Sequence, residues 1–147
     1  MHKILIQANN LDTVIDIFMY LYLHPNSKKE DLADYFDITL RQVDYYINAC
    51  RYLGLVDDEL HTTPLAKDIF QNYPAEITEM VYTLVISDEV MSKVFSRLLM
   101  FPNMDHSEYA KNLVKNYFPG YSETVYTRRS DNIIKWCKKI IDYIKHK

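Results

Sequence analysis

The chain has 147 residues, with 17 basic and 20 acidic side chains for a formal net charge of −3, and only two glycines. That length fits one domain or two small units sharing a core, and so few glycines exclude flexible Gly-rich linkers and Gly-rich phosphate loops, both of which rely on positive φ. Apolar runs fall well short of the roughly 20 residues that span a bilayer and no signal-type segment opens the chain, so a soluble, cytoplasmic protein is expected.

Asn10 or Asp12 can cap a first helix in which Leu11, Val14, Ile15, Phe18, Met19 and Tyr22 recur with a 3.6-residue period, ending before Pro25. Ser27 with Glu30 reads as a capping box for a short second helix that turns Leu32, Ala33 and Phe36 inward. After an Asp37-Ile38 turn, Thr39 with Gln42 repeats the box for a third helix, whose Leu40, Val43, Ile47 and Cys50 face the core. Gly54 supplies the left-handed residue that closes it. Leu55-Val56, the polar Asp57-Asp58-Glu59 and Leu60-His61-Thr62 then fit a small hairpin with a charged tip, and Pro64 opens a packing helix with Leu65, Ala66, Ile69 and Phe70. In this order residues 1–72 describe a winged helix-turn-helix.

Residues 73–147 read as almost all helix. Pro74 opens a segment with Ile77, Val81, Leu84 and Val85; Ser87 caps one with Val90, Met91, Val94, Phe95, Leu98 and Leu99; Asp105 or Ser107 starts another through Leu113 to Phe118. Pro119-Gly120 breaks the chain, and a short helical stretch from Ser122 to Arg129 runs into or abuts a last long helix. There Ile133, Ile134, Cys137, Ile140, Ile141 and Ile144 form the buried stripe with Trp136 beside it, opposite Lys135, Lys138, Lys139 and Lys145. The expected fold class is therefore mainly α: a winged helix-turn-helix, then a helical C-terminal half with a suggested second helix-turn-helix, packed as one compact domain. Cys50 and Cys137 fall at apolar helical spacings, which indicates buried thiols rather than a disulfide or metal site.

Charge is uneven along the chain. Residues 1–60 carry five basic and ten acidic side chains, whereas residues 111–147 carry nine basic and three acidic. Local field decides whether a phosphate backbone is attracted, because screening confines each charge to about 8–10 Å at physiological salt. On the third helix, Arg41, Gln42, Asp44, Tyr45, Asn48, Arg51 and Tyr52 fall on the outward side. Arg and Gln there can make bidentate contacts with base edges in a major groove, and tyrosine hydroxyls can reach phosphates. The competing reading packs Tyr45, Tyr46 and Tyr52 against the hairpin, pairs Arg41 with Asp44 or Asp37, and lets the acidic tip repel DNA. The second candidate stretch is YSETVYTRRS, Tyr121 to Ser130, with Thr124, Thr127, Arg128 and Arg129 near Lys135 and Lys138 in the most basic region. Adjacent arginines resist burial without partners; against contact with DNA stands a solvated pair bridging to Asp131 or to acidic residues of the first half.

Arg41-Gln42, Tyr45-Tyr46, Ala49, Tyr52-Leu53-Gly54-Leu55 and the Thr62–Ala66 turn, followed by Thr124, Arg128-Arg129 and Trp136, carry a resemblance that covers most of the chain. The chain resembles the winged-helix DNA-binding modules attached to type II restriction endonucleases and related restriction-modification ATPases. It departs from them at Asn132, where such modules tend to have Thr, and at Lys139, where a second Trp is common. The resemblance implies binding of double-stranded DNA through Arg41, Gln42, Arg128 and Arg129, as a target-recognition or accessory part of a longer protein. Mg2+ would then belong only to a separate nuclease part.

No acidic residue is followed two positions later by Lys, no His-x-Lys element occurs, and the five histidines are scattered. A metal-assisted phosphodiesterase needs clustered carboxylates with a nearby lysine, so no catalytic residue, metal site or cofactor is expected in this chain. A rival reading is a protein-interaction or dimerisation module, favoured by the acidic first two-thirds and the 13 tyrosines; a transcriptional regulator is a third.

Overall fold

The computed structural model describes residues 6–147. It is mainly helical, with α1 (Leu11–Leu23), α2 (Lys29–Phe36), α3 (Leu40–Tyr52), α4 (Pro64–Asn72), α5 (Ile77–Ser87), α6 (Glu89–Met100), α7 (Ser107–Tyr117) and α8 (Glu123–Lys145). The chain divides into two compact units, one ending at Val81 and one running from Tyr82 to Lys147, so the division falls inside α5.

In the first unit α1 and α2 both pack on α3. Val14, Ile17, Phe18, Leu32, Val43, Ile47, Leu55, Ala66 and Ile69 are fully enclosed. Phe70 of α4 stacks flat on Tyr22 at 3.8 Å and meets Phe18 edge-on at 5.2 Å. Asn10 caps α1, and Thr39 and Gln42 close the reciprocal box of α3: Gln42 N–H donates to the Thr39 hydroxyl at 3.1 Å and Thr39 N–H to Gln42 Oε1 at 3.0 Å. Gly54, at φ 77°, ends α3. Its N–H donates to the Arg51 carbonyl at 3.0 Å and that of Leu55 to Cys50 at 2.9 Å, the paired bonds of a Schellman cap.

Several local expectations shift. Ser27 does not cap α2; its hydroxyl donates to the His24 carbonyl, and the cap is Lys28, whose N–H donates to Asp31 at 2.8 Å. Leu40, expected inside, is 49% exposed, and Tyr52, expected outside, is 7% exposed. At about 100° per residue Leu40 shares the side of Val43 and Ile47 but stands in the exposed first turn of α3, whereas Tyr52 lies on the opposite side and is covered all the same. The expected hairpin is a single antiparallel bridge, Val56 with Thr62, and no strand occurs among the described residues.

In the second unit α8 packs along both α6 and α7, enclosing Met91, Val94, Val114, Trp136 and Cys137. Asp88, not Ser87, caps α6, accepting from the N–H groups of Val90 and Met91; Ser87 ends α5 and bonds back to the Thr83 carbonyl. His106 occupies the cap position of α7, between the two expected candidates, while the Asp105 carboxylate accepts from Ser107 N–H at 2.9 Å. Leu99 and Ile144, placed in buried stripes by periodicity, are 51% and 53% exposed.

The stretch from Ser122 to Arg129 is not a separate short helix. It is the start of α8, because neither Gly nor Pro occurs between Ser122 and Lys145 and Ser130 satisfies its hydroxyl by donating to the Thr127 carbonyl. Both cysteines are free and buried, and burial pushes each thiol up to about 12. Their S–H groups point at the carbonyls of Val14 and Met91, both at 3.6 Å.

Candidate nucleic-acid interface

The ten residues proposed from sequence fall into two sets. Arg41, Gln42, Tyr45, Asn48 and Arg51 lie on α3; Thr124, Thr127, Arg128, Arg129 and Lys135 lie on α8.

On α3 most of the polar groups already have local partners. Arg41 Nε donates to the Tyr45 hydroxyl at 2.6 Å, and its guanidinium lies 5.7 Å from the centre of the same ring. Gln42 Oε1 is held by the helix cap. Arg51 donates from Nε to the Asp57 carbonyl, from Nη2 to the Asp58 carbonyl, both at 3.0 Å, and from Nη1 to Asn48 Oδ1 at 3.2 Å. Asp57 fixes the same loop by accepting from Glu59 and His61 N–H groups, each at 2.9 Å. Those bonds, the His61 N–H first, hold its carboxyl below the usual range. Thr63 closes the base of the loop, its hydroxyl donating to the Gly54 carbonyl at 2.6 Å. Asp44 pairs with Lys29 of α2 at 2.7 Å. Arg51 and Asn48 therefore brace a loop whose tip presents Asp57, Asp58 and Glu59, and a phosphate approaching this end of α3 meets anionic groups first.

The α8 set is arranged differently. Ser122 caps the helix, accepting from Val125 N–H at 3.3 Å. The Tyr126 hydroxyl donates to the Phe118 carbonyl at 2.7 Å and accepts from Tyr121 N–H at 3.1 Å, locking the Pro119-Gly120 turn. Glu123 takes ion pairs from two lysines of α7, Lys111 at 2.9 Å and Lys115. Bonds from Lys115 and then Lys111 hold its carboxyl below the usual range. An acidic residue in the first turn is also favoured by the helix dipole.

Downstream, Thr124, Thr127, Arg128, Asp131, Lys135, Lys138, Lys139 and Asp142 are all exposed. Thr124, Arg128 and Lys135 sit within an arc of about 40° on one face. Among the described residues Arg128 and Lys135 make no ion pair. Arg129, next in sequence but a helical step away, is half-buried and so stands apart from this stripe. Lys138 adds a weak pull on Asp105, whose carboxyl is held low chiefly by Ser107. The sequence missed Lys111, Lys115, Glu123 and Tyr126 as the groups that position the stripe. Two lysines counted toward the basic surplus thereby share one carboxylate, which offsets one of their two charges, and Asp131 and Asp142 interrupt the rest.

Such a face can hold anions spaced along a rod, and the Thr124 hydroxyl at its start can donate to a phosphate oxygen, whereas that of Thr127 already donates to the Glu123 carbonyl at 3.0 Å. Among the described residues no group of three or more His, Cys, Asp or Glu side chains is placed to hold a metal ion, and no helix is long and apolar enough to cross a membrane.

One family profile matches residues 13–145. The chain belongs to DUF7226, a domain of unknown function. No curated protein and no solved structure matches it. As a DUF7226 member it carries both sets of candidates inside the matched region.

Proposed function

We propose that this chain is a DNA-binding unit that docks on a duplex through the exposed face of α8. The observation that carries the reading is the stripe of Arg128 and Lys135, exposed and without ion pairs, with Thr124 and Thr127 beside it. Arg and Lys would neutralise phosphates, and Thr124 and Arg128 would read base edges. The first unit is read as a winged-helix scaffold with an abbreviated wing, in keeping with the resemblance to modules of type II restriction endonucleases. The unit would hold or read the target in the cytoplasm while a separate nuclease part, with its own Mg2+, cuts. Arg41, Gln42, Tyr45, Asn48 and Arg51 take a structural part in this account.

The test is a fluorescence-anisotropy titration of a short duplex over a salt series. With about four phosphates neutralised, affinity should fall roughly 100-fold between 50 and 200 mM salt. Affinity that does not change with salt contradicts electrostatic docking.

A second reading, a protein-interaction module, draws on Leu99, Met100, Phe101 and Met104, which are all largely exposed at the end of α6 and just beyond it. Light scattering without DNA separates the two: a stable dimer whose formation blocks duplex binding favours the second.

A further inference from the structure

A cleft beside α1 and α2 in the first unit, of about 340 Å³, is lined by Asp16, Tyr20, His24, Tyr35 and Phe36 among others. Its walls are rings set at steep angles to one another. Tyr20 lies 4.6 Å from Tyr35 at 43° and 5.8 Å from Phe36 at 69°, and Tyr35 lies 4.9 Å from Phe36 at 74°. His24 closes one side, 4.4 Å from Tyr20. The three rings are in mutual contact, and the exposed Tyr35 leaves ring surface open to the cleft.

Asp16 stands one helical turn before Tyr20, on the same side of α1. Among the described residues it makes no ion pair. Partial burial, with Asp12 adding to it, raises its carboxyl above the usual aspartate range, as expected for an acid short of a counter-ion. Simple core packing does not account for the cluster, because Tyr35 is 68% exposed.

We infer that this cleft binds a small organic cation of the quaternary ammonium class. Aromatic faces attract such a cation without hydrogen bonds, and one carboxylate at the rim supplies its counter-charge. Hard metal ions need six or more oxygen ligands, which the cleft lacks. The first sixty residues carry ten acidic against five basic side chains, a balance that favours a cation over an anion.

The test is a nuclear magnetic resonance titration of the whole 15N-labelled chain with choline chloride, matched for ionic strength with sodium chloride. Saturable shifts confined to α1 and α2 are expected below about 20 mM choline. The neutral isostere 3,3-dimethyl-1-butanol should bind about tenfold more weakly. Tyr35→Ala should abolish saturation, and Asp16→Asn should weaken binding about fivefold; both side chains are exposed, so the spectra of the free variants should remain those of a folded chain. No saturable shift, equal binding of the neutral isostere, or unchanged binding in Tyr35→Ala would overturn the inference.

Discussion

Arg51 is the residue where composition and geometry part. Its type and its outward position on α3 suggest a DNA contact, yet three of its donors end on Asp57, Asp58 and Asn48. Arg51→Ala is therefore expected to loosen the loop from Val56 to Thr62, lowering stability by about 1 kcal/mol in urea denaturation. Duplex affinity should stay within about twofold; a large loss of affinity with unchanged stability would return Arg51 to the interface. Gly54 makes a second residue-scale case. A Cβ there would lie 3.7 Å from Leu65 Cδ2, an ordinary contact, so the obstacle to replacement is φ 77° alone. Gly54→Ala should cost about 1–2 kcal/mol, and Gly54→Asn less, by the same denaturation measurement. Equal stability of all three chains would show that the turn relaxes without loss.

Helix α8 sets the element scale. Its existence and its buried side could be read from the spacing of Ile133, Cys137, Ile140 and Ile141, and its start from Ser122, because caps and periodicity are local signals. The Thr39 and Gln42 box and the Gly54 stop of α3 were legible for the same reason. What local pattern could not give was how far the two ends of a helix are covered, which leaves Leu40 out and Tyr52 in, or the choice between adjacent capping residues, as at Ser27 and Lys28. Nor could it give pairing across a turn: nothing near Glu123 in sequence announces Lys111 and Lys115. That pairing carries a pH signature. The Glu123 carboxyl lies below the usual glutamate value of 4.5 in the folded chain. Its stabilising effect is therefore full above that value and lost as pH falls through the folded one. The melting temperature of the wild-type chain should exceed that of Glu123→Gln at pH 7, with the gap closing as acid is added below about 4.5. A gap that persists at pH 2 would contradict the ion-pair account.

For the whole molecule, net charge says little and distribution says more. Lys111 and Lys115 of α7 are both engaged by Glu123, so the proposed DNA face rests on fewer cations than the count of nine suggests, and those lie along one helix. Footprints of this size give modest affinity with a marked salt response, which suits a unit that assists another in holding a target. The resemblance placed contacts on both α3 and α8; on α3 Arg51 is engaged with the loop and Arg41, though exposed, bonds to Tyr45, whereas on α8 Arg128 and Lys135 are exposed without ion pairs. The most direct measurement compares duplex binding by two charge-reversed chains, Arg128→Glu with Lys135→Glu, and Arg41→Glu alone, each checked by circular dichroism for retained helix. The account expects the α8 pair to lose binding by at least about 30-fold while Arg41→Glu stays within about twofold of wild type. Loss in Arg41→Glu with the α8 pair still bound would contradict it.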